Sequence, residues 1–217
     1  DPKLLSKRAG VTLTQAKEFL NQQIGNIVNE KSIAPPVGSS KYVPAGSKSS
    51  TEYQADVIFF NLLKSKNKQY KAILTVLNTT SRHAYARPLK DHKAPSVSVE
   101  LKKIIDEIEK KGHKITVLRI DGGSEFKAET QQMLVSRGIK VERSEPFTHS
   151  RLRRTDAFHK YLRLKIGHHF EDNDTSTWYN ILPDLVENIN STPNSGLVPA
   201  LGEAKAPKDL TKKDFTK

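Results

Sequence analysis

The sequence predicts an α/β fold built on a mixed five-stranded sheet flanked by helices, with a small helical segment ahead of it. Three observations carry that expectation. Tyr53–Phe60, Lys71–Asn78 and Ala84–Leu89 are short β-branched and aromatic runs with brief polar connections, which suits antiparallel neighbours. Downstream, strand-like and helix-like runs alternate, as they do where parallel strands are joined by helices. Between the third and fourth strands, Val97, Leu101, Ile104, Ile105 and Ile108 line one face of a helix of crossover length. A fourth strand parallel to the first is therefore the expected topology.

The elements follow in order. Residues 1–33 read as two short helices of helix–turn–helix size: Leu4, Leu5 and Ala9 precede a break at Gly10, and Thr12-x-x-Gln15 is a capping-box pattern opening a second helix with Phe19 and Leu20 inward. Residues 34–52 hold Pro35, Pro36, Pro44, Gly38, Gly46 and many serines, the composition of a linker. The main domain is expected over 53–200. Its first helix closes at Gly112, Ile115–Ile120 is the fourth strand, Ala128–Arg137 is a helix ended by Gly138, and Ile139–Val141 opens the fifth strand. A loop at Glu145–Ser150 leads into a basic helix of about Asp156–Ile166. The last helix carries Trp178, Ile181, Leu182, Leu185, Val186 and Ile189, with Pro183 in its first turn or kinking it. Residues 201–217 form a Lys-rich, weakly patterned basic tail.

Composition narrows the function. The 217 residues include 36 Lys+Arg against 24 Asp+Glu, a net charge of +12, and a polyanion is the partner such a charge implies. No cysteine is present, which excludes a disulfide scaffold, a thiolate zinc site, an iron–sulfur cluster and a cysteine nucleophile. No apolar run approaches the ~20 residues that span a bilayer, and the start Asp1-Pro2-Lys3 has no secretory-signal pattern, so no membrane partner is expected.

Three aspartates stand out. Asp56 interrupts an apolar strand, where an ionised carboxylate costs several kcal/mol unless it is paired, exposed or holding a cation. Asp121 ends the run ITVLRID and precedes Gly122-Gly123, at the carboxyl end of a strand, where α/β sheets build sites. Asp156 is the only acid in a stretch that carries Arg151, Arg153, Arg154, Lys160, Arg163 and Lys165. Each has a simpler reading: an ion pair of Asp56 with Lys71 or Arg82, a turn begun by Asp121, a counter-charge at Asp156. Together they make the oxygen-only ligand set that suits Mg2+, and two such ions ~4 Å apart serve in-line phosphoryl transfer. The six cations around Asp156 would hold a phosphodiester backbone. Glu125 is read as support for the turn after Asp121. Glu142 and Glu145 are rival third carboxylates, and His168-His169 is read as facing phosphate or solvent rather than zinc.

At this point the chain resembles the catalytic core of retroviral-type integrases, most closely those of Maverick/Polinton elements and virophages. Gln54-Ala55-Asp56 is similar to the family's Trp-Gln-Ala-Asp strand, with Tyr53 for Trp. Asp121-Gly-Gly-Ser-Glu125-Phe126 matches Asp-x-Gly-x-Glu-Phe, and His149-x-x-Leu152-x-x-x-Asp156-x-Phe158-x-x-x-Leu162-Arg163 matches the third motif. Asn190-Ser-Thr-Pro193-Asn-Ser-Gly-Leu197 resembles the closing segment, and 34 residues separate Asp121 from Asp156. The resemblance spans about Tyr42 to Ala204. It implies a ribonuclease H-like fold in which Asp56, Asp121 and Asp156 are catalytic and hold two Mg2+ or Mn2+ ions. It also implies DNA as partner, both element ends and target, a homo-oligomer, and a place in the host nucleus or a virion. The implied activity is that of an integrase: 3′-end processing followed by strand transfer.

The chain departs from the pattern in places. The usual third acid is glutamate, Ala157-Phe158-His159-Lys160-Tyr161 replaces the residues that often follow it, and no chromodomain or barrel pattern follows Leu201. These departures motivate an alternative, an integrase-like protein kept for nucleic-acid binding, assembly or a virion role. An ordinary nuclease of the same fold is a third reading.

Overall fold

The computed structural model describes residues 51–121, 123–127, 129–143, 153–194, 197 and 204–210, with residues 6, 9–15 and 18 near the start. Strands β1 (Glu52–Phe59), β2 (Ala72–Asn78), β3 (Ala84–Leu89), β4 (Val117–Ile120) and β5 (Lys140–Arg143) form one sheet in the order β3-β2-β1-β4-β5. The first three strands are antiparallel neighbours, β4 runs parallel to β1, and β5 runs parallel to β4. The helices are α1 (Ala94–Lys110), α2 (Glu129–Ser136), α3 (Arg153–Asp172) and α4 (Leu182–Ser191). The mixed sheet expected from the sequence is present, with helices on both faces.

Strand alternation sorts the side chains into two cores. On one face Tyr53, Ala55 and Val57 of β1 join Leu74 and Val76 of β2 under α1 and Leu134 of α2. The five residues of α1 that the helical spacing singles out are its five buried ones. On the other face Ile58, Ile73 and Leu77 meet Phe158, Leu162, Ile166 and Phe170 of α3 and Leu182, Val186 and Ile189 of α4. Being sandwiched, β2 is buried along its whole length.

Several elements differ from the expectation for physical reasons. Helix α3 continues past Ile166 through Gly167 to Asp172, because Phe170 extends the buried stripe by another turn. Trp178 lies ahead of α4, packed on Phe60 with ring centroids 5.3 Å apart, and Pro183 occupies the first turn of α4. The polar stretch after β1 is a 3-10 helix, Asn61–Asn67. Buried Asn67 fixes it: Nδ2 donates to the Leu63 and Ser176 carbonyls at 2.8 and 2.9 Å, and Oδ1 accepts the Trp178 amide at 2.7 Å. On the edge strand β3, the Asn190 side chain takes both main-chain groups of Ala84, at 2.8 and 2.9 Å.

The sheet begins at Glu52, where Arg119 Nη1 lies 2.8 Å from its carboxylate. Residues 204–210 pack back on the core through an Asn194–Lys205 bridge and the short turn Pro207–Asp209, with Ala206 and Pro207 buried. Near the start, Thr12 and Gln15 form the reciprocal capping bonds: Thr12 N donates to Gln15 Oε1 at 3.0 Å, and Gln15 N to Thr12 Oγ1 at 3.2 Å. Leu4, Leu5, Phe19 and Leu20, residues 34–50 of the expected linker, and residues 201–203 and 211–217 of the expected tail lie outside the described residues, and the last linker residue, Glu52, already belongs to β1. Among the described residues no helix is long and apolar enough to cross a membrane.

Candidate active site

Gln54, Asp56 and Ile58 share the face of β1 that α3 covers, since alternate residues of a strand point the same way. The parallel register sets Gln54 beside Arg119, and the same stagger carried two residues further brings Asp56 level with Asp121, just past the end of β4. Asp56 Oδ1 accepts the Val57 amide at 2.7 Å. Asp121 Oδ1 accepts the Gly123 amide at 3.0 Å, so this carboxylate does begin a turn. Asp156 is exposed in the first turn of α3.

Three neighbouring carboxylates act on Asp56. Burial is the main cause that pushes Asp56 up to about 7; the Val57 hydrogen bond opposes it, and the charges of Asp121, Asp156 and Glu125 raise it further. Glu125 is itself 9% exposed and folds back over Gly123, where any Cβ would collide with its carboxylate. A side chain at 123, where φ is an ordinary −60°, would therefore displace the Glu125 carboxylate rather than meet backbone. Among the described residues no three His, Asp or Glu side chains are drawn together tightly enough to form a ready-made metal cage.

Helix α3 is seated on the sheet by polar contacts that sequence reading missed. Thr155 Oγ1 donates to Gln54 Oε1 at 3.0 Å in a buried setting. One turn on, His159 Nε2 lies 2.7 Å from Thr75 Oγ1 and its Nδ1 3.6 Å from Asp56 Oδ2. Burial, aided by the nearby Arg163 charge, lowers His159 to about 3, so the imidazole is neutral at neutral pH. Among the described residues the basic group at the Asp56 carboxylate is therefore His159, not Lys71 or Arg82, and the Arg82 guanidinium donates to the Thr79 carbonyl. The one available signal was spacing: 155, 159, 162, 166 and 170 trace a single helical stripe.

The basic residues diverge. Arg151 and the Arg153 side chain lie outside the described residues. Arg154 lines a cleft of about 470 Å³ with Leu77, Arg82, Phe158, Tyr161 and Pro193. Lys160 is exposed one turn after Asp156. Arg163 sits 5.1 Å over the Phe60 ring and Lys165 5.4 Å over Tyr161. Glu142 is held by Arg119 and Lys140, each at 3.1 Å, as a tie between β4 and β5 rather than a third carboxylate at Asp56; Glu145 lies outside the described residues. His168 is exposed, and His169 Nδ1 lies 3.2 Å from Asn173 Nδ2.

The fold is similar to the catalytic core domain of BIV integrase, with a TM-score of 0.56 and 17% identity over 74% of this chain and 93% of that one. It is also similar to a chain of the simian T-cell lymphotropic virus intasome in complex with PP2A regulatory subunit B56 gamma, with a TM-score of 0.64 and 18% identity over 96% of this chain and 73% of that one. At these identities the likeness is one of fold: the mixed sheet flanked by helices is that of an integrase-type, ribonuclease H-like core. No family model and no curated protein matches the sequence.

Proposed function

We propose that this chain is a cation-dependent DNA strand transferase that processes DNA 3′ ends and joins them to target DNA, nearest in kind to the integrases of Maverick/Polinton elements and virophages. The observation that carries the reading is the parallel register that brings Asp56 level with Asp121 beside the buried Glu125, with Asp156 at the start of α3 near enough for its charge to act on Asp56. Carboxylates set close enough to repel one another are a feature of functional sites. The donor set is all oxygen and rich in negative charge, so Mg2+ or Mn2+ fits it, and Asp56, Asp121 and Asp156 would hold the ions. Divalent cations bound there would supply the charge stabilisation that in-line displacement at a phosphodiester needs.

The chain's own groups do the rest. Burial holds Asp56 in place, and the Gly123 amide fixes Asp121 through one oxygen, leaving the other for a ligand. Exposed Lys160, with Arg151, Arg153, Arg154, Arg163 and Lys165 on or beside the same helix, would bind backbone phosphates. The similar viral chain belongs to an intasome, which supports DNA ends as substrate and an oligomer as the working form. The test is a short labelled duplex incubated with target plasmid in Mg2+ or Mn2+. Wild type should nick the duplex near its 3′ end and join it, and Asp121→Asn should do neither; undiminished activity of that variant would overturn the mechanism.

A second reading has its own observation. His159 packs against Asp56, and the third acid is the shorter aspartate. A nucleic-acid-binding protein without chemistry would bind DNA with the steep salt dependence of phosphate contacts. Under this reading wild type would show no cleavage, and Asp121→Asn would leave binding unchanged.

A further inference from the structure

A second group of cations lies away from α3. From Val57 to Lys90 the sequence holds no acidic residue, while Lys64, Lys66, Lys68, Lys71 and Lys90 accumulate. Lys71 is half-buried and the other four are exposed; among the described residues none of those four is in an ion pair. The fold gathers them at one end of the sheet. There β1 runs into the 3-10 helix Asn61–Asn67, the chain turns back into β2, and the Lys71 amide donates to the carbonyl of Leu89, the last residue of β3, at 3.0 Å. Two tyrosines hold the ammonium groups. Tyr70 and Tyr179 stack with centroids 5.6 Å apart, Lys90 Nζ lies 5.5 Å over the Tyr70 ring, and Lys68 Nζ lies 5.2 Å over Tyr179. The turn that presents them is strained. The Tyr70 amide donates to the Asn67 carbonyl at 2.8 Å, and both residues between, Lys68 and Gln69, have positive φ, 49° and 67°. Such turns favour Gly, Asn and Asp, so Lys68-Gln69 breaks a local rule, and the buried Asn67 side chain holds the turn in place.

We propose that Lys64, Lys66, Lys68 and Lys90 form a docking surface for the phosphate backbone of duplex DNA, separate from the carboxylates and from the basic helix α3. The inference rests on the DNA reading above and says where the duplex runs beyond the site. A run of lysines with no acid among them complements a polyanion. An ammonium already held over a ring loses less freedom on meeting a phosphate than one on a free side chain. The rings are engaged with each other and with ammonium groups rather than open to a base, so the surface takes phosphates and does not read sequence. Its place suits a duplex that also reaches the carboxylates. Asp121 lies at the same end of the sheet, just past β4, and Lys71 is four residues before Thr75, the β2 partner of Asp56. Four residues of strand span about 13 Å, the length of about four base pairs. Arg163, over the Phe60 ring, continues the cations of α3 toward the surface.

The experiment measures binding of the full 217-residue chain to a fluorescent duplex of arbitrary sequence by anisotropy across a salt series. It compares wild type with Lys66→Gln/Lys68→Gln/Lys90→Gln and with Lys102→Gln/Lys110→Gln/Lys114→Gln, which removes the same charge from exposed lysines on and just after α1. The first variant should lower the slope of log affinity against log salt by about 2–3 and weaken binding at low salt roughly 10- to 100-fold. The second should leave the slope as it is in wild type. Thermal melting shows whether the first variant is folded; if it is not, Lys66→Gln and Lys90→Gln tested singly should each lower the slope by about 0.9. Equal slopes for the two triple variants, no duplex binding by wild type, or tighter binding of a single strand than of the duplex would each overturn the proposal. Displacement of the duplex by polyglutamate as readily as by unlabelled duplex would overturn it in favour of an acidic protein partner. Joining of DNA ends by wild type with equal slopes in the two variants would reject this surface and keep the strand-transfer reading. A lowered slope in the first variant alone, with no joining by wild type, would keep the surface and reject that reading.

Discussion

Thr155 Oγ1 reaches Gln54 Oε1 across 3.0 Å of buried space, and this bond seats the first turn of α3, the turn that carries Asp156, on strand β1. The polar partner of this first turn is thus the residue two before Asp56. Replacing Thr155 by the isosteric valine removes a donor from a buried amide, which costs about 1–3 kcal/mol. For a chain of this size each kcal/mol lowers the melting temperature by about 2–4 °C. The double variant Gln54→Leu/Thr155→Val should recover most of that loss, and additive losses in urea unfolding would show that the two side chains are not coupled.

His83 gives a pH dependence of stability. Burial first, then the charges of Lys111 and His113, lowers it to about 4 from 6.5. The folded state therefore disfavours its proton. The contribution is fully present above pH 6.5 and is lost as pH falls through 4, to a limit of about 3 kcal/mol. Wild type should lose more stability than His83→Gln between pH 7 and pH 4.5, as measured by urea midpoints. Parallel pH profiles for the two proteins would contradict the assignment.

Asp56 has the opposite sign. Its folded pKa of about 7 lies above the ordinary aspartate value of 3.8, so its contribution to the metal-free fold is present below pH 3.8 and is lost as pH rises through 7. A cation at the carboxylate competes with that proton. Divalent affinity should therefore fall about tenfold for each pH unit below 7 and level off above it. Calorimetry in buffers of different ionisation enthalpy would count about one proton released on binding at pH 6. No release at that pH would mean the cation binds elsewhere.

Much of the architecture was legible because its signals are local. The stripe Val97, Leu101, Ile104, Ile105 and Ile108 names the buried face of α1 residue for residue, and the crossover it provides leads to the parallel pairing of β4 with β1. Asp56 and Asp121 drew attention as acids at strand positions where acids are costly or where sites form. His159 did not, since a histidine within a basic segment reads as phosphate-facing, and only the approach of Thr75 from a strand 84 residues away shows it to be enclosed. Asn67 was hidden likewise in a polar stretch, because its partners at Ser176 and Trp178 come from a distant part of the chain. Helix α3 reads as ending at Ile166 because Gly167 is a local breaker, but the packing of Phe170 outweighs that preference.

The most direct measurement of the central claim is single-turnover joining of a labelled duplex end to plasmid DNA in Mn2+, comparing wild type with Asp156→Asn and Asp156→Glu. If the aspartate at the start of α3 completes the site with Asp56 and Asp121, wild type yields joined product, Asp156→Asn yields none, and Asp156→Glu, which keeps the charge and lengthens the reach, retains activity. Joining by Asp156→Asn at the wild-type rate, or no joining by wild type at any divalent concentration, would contradict the account.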